Sequence, residues 1–169
     1  MRTLLVGNTG YITNKFVEEA FPESLVMVMG DTSIRKNRKT NLFVRPFVKN
    51  EKELKDIFST YDFEQIIYFS NYLTFHGETR GEAEMLRKIL QLCRGKRNMR
   101  IVYLTGPERL YDVPTGKTLL VSEMENLSRE YAKLYKTTVK IIRSPYLYSE
   151  QYEKDFLNTV FREISAEQK

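Results

Sequence analysis

The sequence predicts an α/β fold, an open parallel sheet wound on both faces by helices. Two observations carry that reading. Short apolar runs alternate with amphipathic stretches from the first residue onward, which is the mark of strand–helix–strand units. At 169 residues the chain also has the length of one such domain, enough to bury about 70% of the surface its unfolded form exposes.

Taken in order, Arg2–Val6 is a short buried strand, and Tyr11–Phe21 is a helix with Ile12, Phe16, Val17 and Ala20 on one face. Leu25–Met29 is the second strand. Leu42–Val48 is a short third, placed at an edge because Pro46 has no N–H to donate. The helix over Glu51–Ser59 shows an apolar stripe of Leu54, Ile57 and Phe58, and Gln65–Ser70 is the fourth strand. Glu78–Arg94 is a long helix with Ala83, Leu86, Ile89, Leu90 and Cys93 at helical spacing. Arg100–Thr105 is the fifth strand, a turn-rich loop covers Gly106–Gly116, Leu120–Tyr135 is helical, and Val139–Arg143 is the sixth strand. The stripe Tyr152, Phe156, Val160, Phe161, Ile164 predicts a last helix. Residues 1–150 thus form the main domain and 151–169 a C-terminal helix.

Composition narrows the function classes. With 41% hydrophobic and 29% charged residues the chain is an ordinary globular one. No apolar run approaches the ~18 residues of a membrane-spanning helix. The opening MRTLLVGNTG turns polar too soon for a signal peptide, so a cytoplasmic protein without membrane partners is expected. A single cysteine, Cys93, and a single histidine, His76, exclude an internal disulfide and argue against a His/Cys metal cage. The net charge of +5 is too small to announce nucleic-acid binding. Its distribution is uneven: Arg35, Lys36, Arg38, Lys39, Arg45 and Lys49 follow Asp31 with no further acid between. Such a segment is either a solvated loop or an anion site. Thr115-Gly116-Lys117-Thr118 ends like a phosphate-binding loop, but Tyr111 stands where that loop needs a glycine.

The most informative residues are Gly7-Asn8-Thr9-Gly10-Tyr11-Ile12, where the first strand gives way to the first helix. Glycines there let the backbone turn tightly and approach a pyrophosphate, which the positive end of the helix favours. Asp31 stands at the tip of the second strand, where a carboxylate can accept hydrogen bonds from ribose hydroxyls. NAD or NADP is therefore the candidate cofactor. Arg35, just beyond, suits a 2′-phosphate that Asp31 would repel, so the two signals oppose each other.

VGNTGYITNKFVEEAF resembles the opening of the extended short-chain dehydrogenase/reductase family, the sugar-nucleotide epimerases and dehydratases. Gly7, Thr9, Gly10, Tyr11 and Ile12 match the family's first turn, whereas its third glycine is Thr13 here. FEQIIYFSNYL, RIVYLTGPERLYD and VKIIRSPYLYS resemble the family's fourth-, fifth- and sixth-strand segments. The resemblance implies a Rossmann-like fold over residues 1–150, with Phe69 and Ser70 beside the cofactor. It also implies a homodimer through helices 78–94 and 120–135. Most of the family's substrate lobe has no counterpart in this sequence.

The resemblance further implies a tyrosine that moves a proton and a lysine four residues later that lowers its pKa. Those positions are Leu119 and Glu123. Leucine carries no proton to give, and glutamate reverses the field that stabilises a tyrosinate. The serine position falls on Pro107, with Thr105 the nearest hydroxyl, and the adenine-binding aspartate is replaced within Pro46-Phe47-Val48. The sequence thus assigns no catalytic residue. It points to an inactive dinucleotide-binding domain, a sensor or interaction module that binds its ligand weakly. The alternative is an active NAD(P)-dependent reductase or epimerase with a non-standard proton donor from among Tyr72, Tyr103 and Tyr111.

Overall fold

The computed structural model describes residues 1–7, 17, 25–30, 41–45, 50–69, 80–96, 98–105 and 116–144. Their elements run β1 (Arg2–Gly7), β2 (Leu25–Gly30), β3 (Asn41–Arg45), α1 (Glu51–Tyr61), β4 (Gln65–Phe69), α2 (Arg80–Leu92), β5 (Arg100–Thr105), α3 (Gly116–Tyr135) and β6 (Thr138–Arg143). The strands form one sheet in the order β3-β2-β1-β4-β5-β6, and every pair is parallel. This is the doubly wound α/β architecture that the alternation of runs predicts.

The apolar strands have a simple cause: their sheet is covered on both sides, so consecutive residues are buried rather than alternate ones. Leu4, Val6, Met27, Met29, Ile66, Tyr68, Ile101 and Tyr103 face a core shared with the stripes of α1, α2 and α3. Leu5, Val26, Val28, Ile67, Phe69 and Leu104 form the core of the other face, joined by Val17. Val17 is helical and is the one described residue of the helix expected over Tyr11–Phe21. The last helix, expected over Tyr152–Ile164, lies outside the described residues.

The helices carry their own start and stop signals. The Asn50 side chain accepts from the Lys52 N–H at 2.9 Å and caps α1. Glu51 and Glu53 in the first turn suit the positive end of the helix dipole. Asp62, with φ 38°, ends the helix in the left-handed region. Lys96 then donates to the Phe58 carbonyl at 3.3 Å and to Asp62 at 3.2 Å, tying the end of α1 to the chain after α2.

Two boundaries differ from expectation. Helix α3 starts at Gly116, one turn before Leu120; the Ser122 hydroxyl donates to the Thr118 carbonyl at 2.7 Å, within that added turn. β3 begins at Asn41, one residue before the expected Leu42, and Pro46–Val48 of the expected strand lie outside the described residues.

Helix α3 is locked to β6 by a buried ion cluster. Glu125 has a fully buried side chain. It accepts from Arg143 Nε at 2.8 Å and Nη2 at 2.7 Å, and from Arg129 Nη2 at 2.7 Å. The hydrogen bonds from Arg143 hold the Glu125 pKa below the usual carboxylate value, against the opposing effect of burial and with further help from Arg129.

Two outcomes follow for stability. Ile89→Ala removes a fully buried side chain at the centre of α2 and should cost about 2–5 kcal/mol. Leu134→Ala, on the exposed side of α3, should change stability by less than ~0.5 kcal/mol; urea denaturation compares the two. Because folding lowers the Glu125 pKa, its contribution is complete above the unfolded-state value of ~4.3 and fades as pH falls through the lower folded value. Glu125→Gln should therefore cost ~1–3 kcal/mol at neutral pH. The gap to the unsubstituted protein should close in acid, and a gap that stays constant from neutral pH to about pH 3 would contradict an ionised cluster.

Candidate functional site

In a parallel sheet of this order, successive connections leave β1 and β4 in opposite directions, and a crevice opens at their carboxyl ends. Here that point lies between Gly7 and Phe69. Gly7 has φ +119°, in the region that side-chain-bearing residues avoid. A Cβ added to it would stand 2.2 Å from the Phe69 carbonyl oxygen and 3.0 Å from the Phe69 Cβ. No other residue fits. In register beside Gly7 stands Gly30, the last residue of β2, so two adjacent strands end without side chains at the mouth of the crevice. Asp31 follows Gly30 directly in the sequence.

Of the residues expected to hold a cofactor, Gly7 and Phe69 are described, and they are in contact. The Phe69 side chain is buried in the second-face core, so what this residue presents to Gly7 is its carbonyl and Cβ. Asn8, Thr9, Gly10, Tyr11, Ile12, Asp31, Arg35 and Ser70 lie outside the described residues. Of the basic segment only Arg45 is described, and its guanidinium is paired with Glu53 on α1. That pairing commits Arg45 to a carboxylate rather than to an external anion.

On the other side of the crevice, the described residues do not bring proton-transfer groups together. Leu119, at the position of the family's tyrosine, is 70% exposed. Glu123, at the lysine position, has a side chain 54% exposed, with Arg87 of α2 at 3.7 Å. Helices α2 and α3, the pair expected to form a dimer face, thus lie side by side.

Tyr103 is withdrawn as a substitute proton donor. It is fully buried under α3, and its hydroxyl donates to the Met124 sulfur at 3.5 Å. Its register partner Tyr68 is buried in the same way and donates to the Glu82 carbonyl at 3.2 Å. Burial, reinforced by the Glu82 carboxylate and by Tyr103, pushes the Tyr68 phenol well above its ordinary range. Strand alternation explains both: Ile66 and Tyr68 share a face, as do Ile101 and Tyr103, and that face is the one packed against α1, α2 and α3. Tyr72 and Tyr111 lie outside the described residues.

Thr105 is likewise fully buried at the end of β5. Burial raises the Cys93 thiol to about 12, which removes it as a nucleophile at neutral pH. Among the described residues, no group of three or more His, Cys, Asp or Glu could hold a metal ion, and no helix is long and apolar enough to cross a membrane. The Glu125 cluster was not legible in the sequence, because an acid in mid-helix and an arginine at a strand end share no spacing rule.

No protein-family model and no curated protein sequence matches the chain. Solved structures do match it. A dTDP-glucose 4,6-dehydratase from Bacillus anthracis str. Ames, solved with NAD, superposes at TM-score 0.73 and 15% identity over 98% of this chain and 62% of that one. The dTDP-glucose 4,6-dehydratase of Streptomyces venezuelae, also solved with NAD, gives 0.70 and 15% over 99% and 63%. The UDP-Glc/GlcNAc 4-epimerase of Campylobacter jejuni gives 0.64 and 12% over 99% and 63%. The chain spans about three fifths of the length of these enzymes. At such identities the likeness is one of fold. This chain has the Rossmann-like sheet found in the dehydratases and epimerases of the extended short-chain dehydrogenase/reductase group.

Proposed function

We propose that this chain is a dinucleotide-binding domain that has given up hydride-transfer catalysis and acts as a dinucleotide sensor or ligand-dependent interaction module. The observation that carries the proposal is the crowding at Gly7, where a missing side chain lets β1 end directly against the β4 carbonyl. A glycine that the fold requires at the end of β1 is what the first position of a dinucleotide-binding βα turn also requires. The fold neighbours solved with NAD support the same reading.

The residues fit such a ligand on one side only. The Gly7–Ile12 turn would hold the diphosphate through backbone N–H groups, and Asp31 would accept from the ribose hydroxyls. When bound, a nicotinamide dinucleotide supplies a hydride acceptor or donor. Among the described residues none completes that chemistry: Leu119 has no proton, Glu123 carries the wrong charge beside Arg87, and the hydroxyls of Tyr68 and Tyr103 are engaged in the core. Binding is weak in this reading, because the adenine-side aspartate is absent from Pro46-Phe47-Val48 and each net hydrogen bond is worth ~1 kcal/mol. The dimer face on α2 and α3 belongs to the same proposal, with Leu119 as an exposed apolar residue.

Millimolar NAD or NADP should raise the melting temperature of the purified chain. A ligand at about 100 times its Kd adds ~2.7 kcal/mol of stability. Gly7→Ala should abolish the shift and, through its strained φ, lower stability by about 1–3 kcal/mol. Asp31→Ala should weaken NAD binding about tenfold, the loss of one charge-assisted hydrogen bond. Absence of any shift at millimolar dinucleotide, or turnover of a carbonyl or hydroxyl compound with bound cofactor, would overturn the proposal.

A further inference from the structure

β3 closes one end of the sheet: it pairs with β2 and, among the described residues, with no other strand. A strand in that place turns one row of its N–H and C=O groups outward, a template for a further strand. At its centre Phe43 is 47% exposed. The ring is braced from below. It lies 6.1 Å from that of half-buried Tyr61 at the end of α1, Tyr61 stacks on Phe63 at 5.9 Å, and buried Phe63 meets Phe58 edge-on at 5.5 Å. An aromatic side chain fixed by such a ladder receives a partner with little further loss of freedom.

Charge identifies the partner. β3 lies inside the stretch from Thr32 to Lys49, which holds six of the chain's 27 Lys and Arg and none of its 22 acids. With a net charge of +5, the rest of the chain is close to neutral. Arg45 is matched by Glu53. In sequence, Arg35, Lys36, Arg38 and Lys39 lead into the strand and Lys49 follows it. Cations that flank an edge strand also guard it against self-pairing, and two such edges repel each other, which argues against a second copy of this chain. Protection alone does not account for a half-exposed phenylalanine at the strand's centre.

We propose that the β3 edge is a docking site for an acidic, extended peptide, which adds to the sheet as a further strand, sets an apolar side chain beside Phe43 and places its carboxylates among the flanking cations. Main-chain hydrogen bonds supply the affinity of strand addition, and alternate side chains supply the choice of partner. The site does not depend on the Gly7 turn, from which β2 separates it.

Fluorescence anisotropy of the full chain with a labelled peptide of about seven residues, alternating glutamate and valine to match one strand, tests this. The peptide should bind, and more weakly as salt rises. Affinity should fall about tenfold or more in Phe43→Thr, which keeps a strand-forming residue, and in the double variant Lys36→Glu with Lys39→Glu, which leaves β3 unchanged and decides the matter if Phe43→Thr fails to fold. A peptide with proline in place of valine, held in an extended form that cannot complete a ladder, should bind about tenfold more weakly or not at all. No binding of the glutamate–valine peptide at about 1 mM, equal binding of the proline peptide, or an affinity that the double variant leaves unchanged would overturn the proposal. Single-stranded DNA binding more tightly than the peptide, or self-association of the chain that Phe43→Thr abolishes, would overturn it as well and assign the edge to a nucleic acid or to a second copy.

Discussion

The contact on which the structure turns is between a hydrogen atom and a carbonyl. At Gly7 the β1 backbone meets the end of β4 so closely that a methyl group would lie 2.2 Å from the Phe69 oxygen, well inside van der Waals contact. β1 and β4 are the innermost pair of the sheet, and the reversal of strand order between them creates the crevice. The glycine therefore serves folding, and in the reading proposed above it serves recognition as well. It permits the central strands to finish side by side, and it leaves main chain rather than side chain at the rim.

The β4–β6 half of the sheet uses its polar groups for packing: two tyrosines in register bond to α2 and to Met124 of α3, and an arginine at the strand end neutralises the acid buried in α3. A fold that commits these hydroxyls and charges to the core ties its helices firmly to the sheet. That division explains how a chain can share the sheet of the sugar-nucleotide dehydratases and epimerases while presenting, among its described residues, no group poised to move a proton.

Much of this was legible in the residues. LLV, LVMVM and QIIYF are continuous apolar runs because parallel strands are covered on both faces. The stripes of α1 and α2 identified their buried residues one by one. What was hidden depended on pairing across the fold. Nothing in the spacing of Tyr68 and Tyr103 announces that they stand opposite each other, yet that register buries both and removes Tyr103 from chemistry. Arg45 looked like part of a basic patch until β3 and α1 brought Glu53 against it. The turn at Gly7 was visible as a motif, while its reason, the pressure of Phe69, belongs to tertiary structure.

The central claim is that the nucleotide-holding rim persists while the proton-moving side is gone. Amide chemical-shift mapping by NMR during titration with NAD tests both halves at once. The account predicts perturbations concentrated at Gly7–Ile12 and at Gly30 and Asp31, with the amides of Leu119–Glu123 unmoved. A spectrum unchanged at saturating dinucleotide, or one whose largest shifts fall on Leu119–Glu123, would contradict it.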